Sequence, residues 1–365
     1  MKNPIIDIAG SYQPIIWNLN IDKDINELNK LRESGEILFE VDEFDRQLRD
    51  LYKCRYPDKV KNEEQFNVFL VELSNGKQIQ EIGRWVYYPW RKTLVHLLAK
   101  EEFIEVRTNR NKLKILQEEQ DDLSSKTVGI IGLSVGQSVA VTLAMERSFG
   151  KIKLADYDTL DLSNLNRLRT GVFNLGIPKV ILAAREITEI DPYIEVEIFP
   201  EGINSENYHQ FLQGTGKLDL LVEVCDNFEV KVESRIRARK LGIPVIMETN
   251  DRGMLDVERF DQDQSMQIFH GLVSDIDINN INDLDTKSRM EILMKIVNAP
   301  QLSDRMKLSL PEIGKSINSW PQLASEVVLG AGISAWACRK LLLGQYLPSG
   351  RYYIDLEQIL SLKKR

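Results

Sequence analysis

Between Gly132 and Asp226 the chain carries Gly132, Gly136, Asp156, Asn164, Arg167, Lys179 and Asp226, a set of residue types suited to an anionic ligand. The two glycines allow backbone to come close to that ligand, and an acidic side chain roughly 20 residues past such a turn can accept from a ribose hydroxyl. Asn164 and Arg167 stand three apart and so share one face of a helical turn. Hydride transfer needs no such cluster. A departing pyrophosphate does, because charge gathers on its oxygens as the bond to the α-phosphorus breaks. Asp226 adds a carboxylate that can hold Mg²⁺ against phosphates.

These residues act together only if the chain presents them together. Thr127–Ile131 is a β-branched run that stops at Gly132, and Val139, Leu143 and Ala144 then recur at helical spacing. Strand, turn and helix follow in that order, which offers the open N–H groups and positive dipole end of a new helix to a phosphate. A second strand, Ile152–Ala155, ends at Asp156. Gly176-Ile177-Pro178 brings Lys179 to the start of a helix over Val180–Ile190. Glu195–Phe199, Leu218–Val224 and Pro244–Glu248 supply further strands, the second of them ending at Cys225-Asp226-Asn227. Strands and helices alternating at this interval predict an α/β fold: a doubly wound, mostly parallel sheet with helices on both sides, whose ligands sit at the carboxyl edge.

Gly132 with Gly136, Asp156-Tyr157-Asp158, Ser163-Asn164-Leu165-Asn166-Arg167, Pro178-Lys179 and Cys225-Asp226-Asn227 resemble the ThiF/MoeB/E1-like family of ATP-dependent carboxylate-adenylating enzymes. The similarity covers roughly residues 107–260, and the combination is far more specific than any one motif. The resemblance implies an E1-like Rossmann-type fold, ATP and Mg²⁺, and an acyl adenylate as product. Carried over by position, Asp156 holds the ribose, Asn164, Arg167 and Lys179 the phosphates, and Asp226 the magnesium. Arg107-Thr-Asn-Arg110-Asn is similar to a family motif whose second arginine reaches a partner's ATP site, so Arg110 is expected to complete the site across a homodimer. Arg252 lies where the family positions the substrate's carboxylate; a surface salt bridge is its plainer role. The expected substrate is a peptide or carrier-protein C-terminus, or a small acid.

Departures from the family are informative too. Ser134 and Val135 stand where glycines are usual. The cysteines offer no evident nucleophile: Cys338 falls in an apolar helix and Cys225 beside Asp226, so no thioester step is expected. With no Cys-x-x-Cys pair, no structural zinc is expected. The wording of residues 85–110 and 249–261 is closest to a bacterial branch joined to a nitroreductase-like flavin segment, which implies a separate redox partner.

Residues 1–105 read as a small N-terminal α+β accessory domain, and 106–365 as the adenylation domain. In the former, Asp24–Arg32 is a helix stopping at Gly35, Ile37–Val41 a strand, and Phe44, Leu48 and Leu51 mark a second helix. Trp85–Trp90 is expected to pack between domains, and Thr93–Ala99 to be helical with a structural His96. Family members acting on peptides carry an N-terminal clamp, so a peptide-binding module is the sharper alternative. Near the C-terminus, residues 271–290 are expected to form a loop, Ser319-Trp320-Pro321 to start a helix, and residues 351–355 to form a last strand.

At 365 residues with 43% hydrophobic content, the chain can bury a substantial core. Its 47 basic and 55 acidic residues give a net charge of −8, which argues against nucleic-acid or anionic-membrane partners. Three cysteines build no disulfide framework, Met1-Lys2-Asn3-Pro4 opens no signal peptide, and a cytoplasmic protein is expected. Only Lys363-Lys364-Arg365 is locally basic. Two other functions fit part of the pattern: an NAD(P)-dependent oxidoreductase, and a catalytically idle nucleotide-binding scaffold.

Overall fold

Alternation of buried and open side chains builds the first of two sheets. The computed structural model describes residues 11–59, 62–274 and 285–361. The extreme N-terminus and the basic tail lie outside those residues. The chain packs as two units: Met1–Glu118 with Ile187–Tyr193, and Glu119–Glu186 with Ile194–Arg365.

The first unit holds β1 (Ile15–Trp17), β2 (Phe39–Val41), β3 (Arg84–Tyr88) and β4 (Thr93–Leu97) in the order β1-β3-β4-β2. Only the β2–β4 pair is parallel. Thr93–Leu97 is thus a strand and not the helix expected from Leu94, Leu97 and Leu98. Leu94 and His96 are buried while their neighbours are partly open, a period of two that pairing with β3 settles. His96 is structural: its ring lies between Phe44 and Trp85, with Nδ1 at 3.0 Å from Asp42 and Nε2 at 2.8 Å from the Ile82 carbonyl. Trp85 and Tyr87 fill this unit's own core with Trp17, Leu28 and Leu94. Tyr88 and Trp90 bond to Thr188 and Glu189, which belong to the same unit, so the aromatic cluster packs at home.

The second unit is a seven-stranded sheet formed by β5 (Thr127–Ile131), β6 (Lys151–Ala155), β7 (Glu195–Phe199), β8 (Leu220–Glu223), β9 (Val245–Thr249), β10 (Met254–Glu258) and β11 (Gly350–Tyr353), in the order β11-β10-β9-β8-β5-β6-β7. From β9 to β7 all neighbours are parallel, whereas β10 and β11 join as antiparallel strands. This is the doubly wound, mostly parallel α/β sheet, with helices on both faces. The helix Ala324–Leu342 lies on the helix Gly136–Glu146 and on β8, β9 and β10. It starts at Ala324 and not at Ser319: residues 320–323 are irregular, Leu323 has extended backbone, and Pro321 disfavours helical backbone at the residue before it. Part of the expected 271–290 loop is helical: Thr286–Ile296 begins where Asp285 Oδ1 accepts the Ser288 N–H at 2.7 Å. Residues 275–284 of that loop lie outside the described residues.

Candidate active site

Running β5, β6, β7 and then returning to the other side of β5 leaves a crevice between the carboxyl ends of β5 and β8, the switch point where open α/β sheets take ligands. Gly132 closes β5 there with φ 89°, and a Cβ on it would come within 2.8 Å of the Cys225 backbone. Only glycine meets both demands. Gly136 serves packing instead: a Cβ would meet Ile130 at 2.7 Å and Val224 at 3.2 Å. Val135 keeps right-handed helical backbone, so no glycine is required at that place.

Gly132, Ser134, Asp156, Tyr157, Asp158 and Asp226 line one lobe of the crevice. Asp156, at the end of β6, accepts the Leu133 N–H at 2.6 Å and the Asp158 N–H at 2.8 Å. Burial raises its pKa while those two amides pull the other way. Each oxygen keeps acceptor capacity for a hydroxyl. Lys179 is 5% exposed and donates to Asp158 at 2.8 Å and to Ser134 Oγ at 3.1 Å. Ser134 therefore gives the turn a hydroxyl that steadies the lysine.

Asp226 is exposed and lines a second lobe as well, together with Arg167, Met247, Glu248, Asn250 and Trp320. Burial lowers the Arg167 pKa, opposed by the charge of Asp226, and Arg167 Nε lies buried without a partner. The loop bearing Asp226 is held on both sides. Glu223 accepts the Cys225 N–H at 2.9 Å, and Asn227 caps the helix Phe228–Leu241 by accepting the Val230 N–H at 2.9 Å. Glu223 is itself gripped by Lys231 at 2.9 Å and by Arg235. Among the described residues no three His, Cys, Asp or Glu side chains gather as a metal cluster. A single carboxylate beside a polyphosphate nevertheless suits magnesium, which keeps water and phosphate oxygens as its other ligands.

The remaining expected residues are placed elsewhere. Asn164 is buried in a short helical turn, Leu162–Asn166, with its Oδ1 accepting the Asp161 N–H at 3.0 Å, and it faces neither lobe. Arg252 has left-handed backbone (φ 58°) and donates to Asp355 at 2.7 Å and to the Gln301 carbonyl at 2.6 Å. Arg110 belongs to the first unit, exposed in the turn Asn109–Asn111 close in sequence to exposed Leu113 and Leu116. Sequence reasoning missed Asp158, Glu248 and Asn250 as site residues. Asp158 was within reach, two places after Asp156 at a strand end; Glu248 carried a signal as the carboxylate that directly follows the apolar run Val245–Met247 within one strand.

An uncharacterized protein of Mycobacterium tuberculosis (strain CDC 1551 / Oshkosh), MT1398, is 39% identical over 353 residues, 97% of this chain and 47% of its own length. The tRNA threonylcarbamoyladenosine dehydratase of Bacillus subtilis (strain 168) is 30% identical over 153 residues, 42% of this chain and 59% of its own. The chain spans about half the length of the curated relatives it matches. The solved structure of PaaA aligns with 70% of this chain and 84% of its own at 23% identity, with a TM-score of 0.48. The model described as ThiF family matches residues 108–309, the stretch that carries the glycine turn, Asp156, Arg167, Lys179 and Asp226, and the chain belongs to the ThiF family.

Proposed function

We propose that the protein activates a terminal carboxylate with ATP, forming an acyl adenylate and releasing pyrophosphate. The observation that carries this is the meeting of Asp226 with Arg167 on one side and with the Asp156 and Lys179–Asp158 lobe on the other. A nucleotide seated with its ribose at Asp156 has its phosphates between Lys179 and Arg167. The attacking carboxylate is ionised near pH 7 and needs no base. What it needs is positive charge to neutralise the departing pyrophosphate. Lys179 exchanges Asp158 for phosphate oxygens, and Arg167 offers its open Nε. Magnesium, when bound at Asp226, neutralises phosphate charge. Arg110 contributes from a second copy in a homodimer, and Arg252 acts on the substrate only through the chain segment it anchors. We assign residues 106–365 to adenylation and 1–105 to an accessory role.

The reaction ends without a cysteine thioester. Cys225 has its thiol pKa pushed well above the ordinary value by burial and by Glu223, and burial raises that of Cys338. Neither supplies a thiolate at neutral pH. ATP–pyrophosphate exchange with a panel of carboxylic acids and peptides tests the proposal. Lys179→Ala and Asp226→Ala are each expected to reduce exchange at least a hundredfold without altering the melting temperature; undiminished exchange in both rules the site out.

A further inference from the structure

The helix Ala324–Leu342 carries two interior glycines, Gly330 and Gly332, although glycine is the poorest helix former after proline. Gly330 has a reason inside the chain: a Cβ there would come within 2.1 Å of Glu248 Oε1 on β9. Gly332 has no such reason. Among the described residues nothing lies within 4 Å of where its Cβ would stand, and the residue is exposed. Residues four apart form one ridge of a helix, and here the ridge reads Ala324, Val328, Gly332, Trp336, Lys340. Its middle is apolar and open. Val328 is 47% and Trp336 44% exposed, and with Leu329, Gly332, Ile333 and Ile354 they line a shallow furrow almost without polar groups. Apolar surface gathered in this way marks an interaction face, and a glycine at its centre lets a second backbone come close.

We propose that this face pairs with the same face of a second copy of the chain, the two helices crossing antiparallel about a two-fold axis at Gly332. The ridge is self-complementary about that residue. Residues equally far from it on either side meet, so glycine lies on glycine and Val328 rests against the second copy's Trp336, small against large. The charges agree as well. Glu326 stands in the first turn of the helix and Arg339 and Lys340 in the last, so an antiparallel crossing brings base toward acid, whereas a parallel one sets like against like. One ridge covers only part of the roughly 800 Å² that each partner of a stable pair buries. Exposed Leu356, Ile359 and Leu360, which follow Ile354 in the chain, supply further apolar surface. The pairing goes beyond the adenylation reading, which calls on a second copy for Arg110 but assigns it no face.

Sedimentation velocity of the full chain at micromolar concentrations tests the pairing, and the natural chain is expected to sediment as a dimer. Gly332→Gln introduces a better helix former into open space, so its single copies are expected to melt no lower than those of the natural chain. The same variant should raise the dissociation constant roughly a hundredfold or more, and so should Trp336→Glu. Gly332→Cys is expected to join two copies by a disulfide on mild oxidation, because Cα atoms facing each other on the axis come within its reach. Ala324→Cys, equally exposed but about two turns away, should not. A natural chain that stays single, pairing undiminished in both the glutamine and glutamate variants, or linkage at Ala324 without linkage at Gly332 each overturns the proposal. Pyrophosphate exchange keeps the two ideas apart. Exchange by a chain that pairs through another face, or not at all, retains the adenylation reading and removes this one; pairing abolished by Gly332→Gln in a chain that exchanges with no acid does the reverse.

Discussion

Single residues in this site are fixed by contacts that can be broken one at a time. Gly132→Ala adds a Cβ at a left-handed position facing the Cys225 backbone at 2.8 Å, so a loss of about 2 kcal/mol or more is expected, with weaker nucleotide binding by calorimetry. Glu248 gives a second residue-scale prediction. Its pKa rises from an ordinary 4.5 to about 8 in the fold, so its contribution is fully present below 4.5 and lost as pH rises through about 8. The charged group acting on it is Glu326, of like sign, on the helix Ala324–Leu342. Glu248→Gln cannot titrate. Its stability relative to the natural chain should therefore grow between about pH 5 and pH 9, by on the order of 4 kcal/mol in urea unfolding; a pH-independent difference contradicts a neutral Glu248. Gly132, Asp156 and Asp226 were legible in the sequence because strand, turn and helix set their spacing. For Arg252 an ion pair was one of the two readings, but its partner was not legible, since Asp355 arrives 103 residues later.

Elements are tied to the site by buried charge. Glu223 on β8, Lys231 and Arg235 on the helix Phe228–Leu241, and Glu258 on β10 form one enclosed network. Burial alone would raise the Glu223 pKa, but Lys231 and Arg235 bring it down to about 2. Its contribution is thus present above the unfolded value of 4.5 and lost as pH falls toward 2. Arg235→Met strands the buried Glu258 and leaves Glu223 to Lys231 alone, and is expected to cost roughly 3–5 kcal/mol, read as a lowered urea midpoint at pH 7. A midpoint shift below about 1 kcal/mol would show that the network does not hold β8 and β10 together. Asn227→Ala removes a helix cap worth about 1 kcal/mol and loosens the loop carrying Asp226. At this scale the α/β alternation of the second unit was readable, because helix and strand periods differ plainly over long segments. β4 was not, for a five-residue run containing two leucines fits either period until β3 pairs with it.

The whole molecule is less divisible than its sequence suggests. Ile187–Tyr193 is numbered inside the second unit but packs with the first. There Asp191, fully buried, faces Arg107 at 3.4 Å, and Tyr193 donates to the Leu98 carbonyl at 2.7 Å. Residues 106–365 expressed alone should melt below the full chain and exchange the amide hydrogens of residues 187–193 rapidly; equal melting and full protection would show that the segment needs no partner. No local pattern announces such an excursion, since hydrophobic spacing along the helix Lys179–Ile190 is the same whichever unit receives its end.

That shared segment also bears on synthesis. The ribosome finishes Glu118 and must add a further 75 residues, 193 minus 118, before Tyr193 emerges to close the earlier unit. During that interval the N-terminal unit waits unfinished while the first strands of the nucleotide fold are already made, so the two mature in overlap, the second closing only at Arg365, unlike a chain whose domains follow one another like beads.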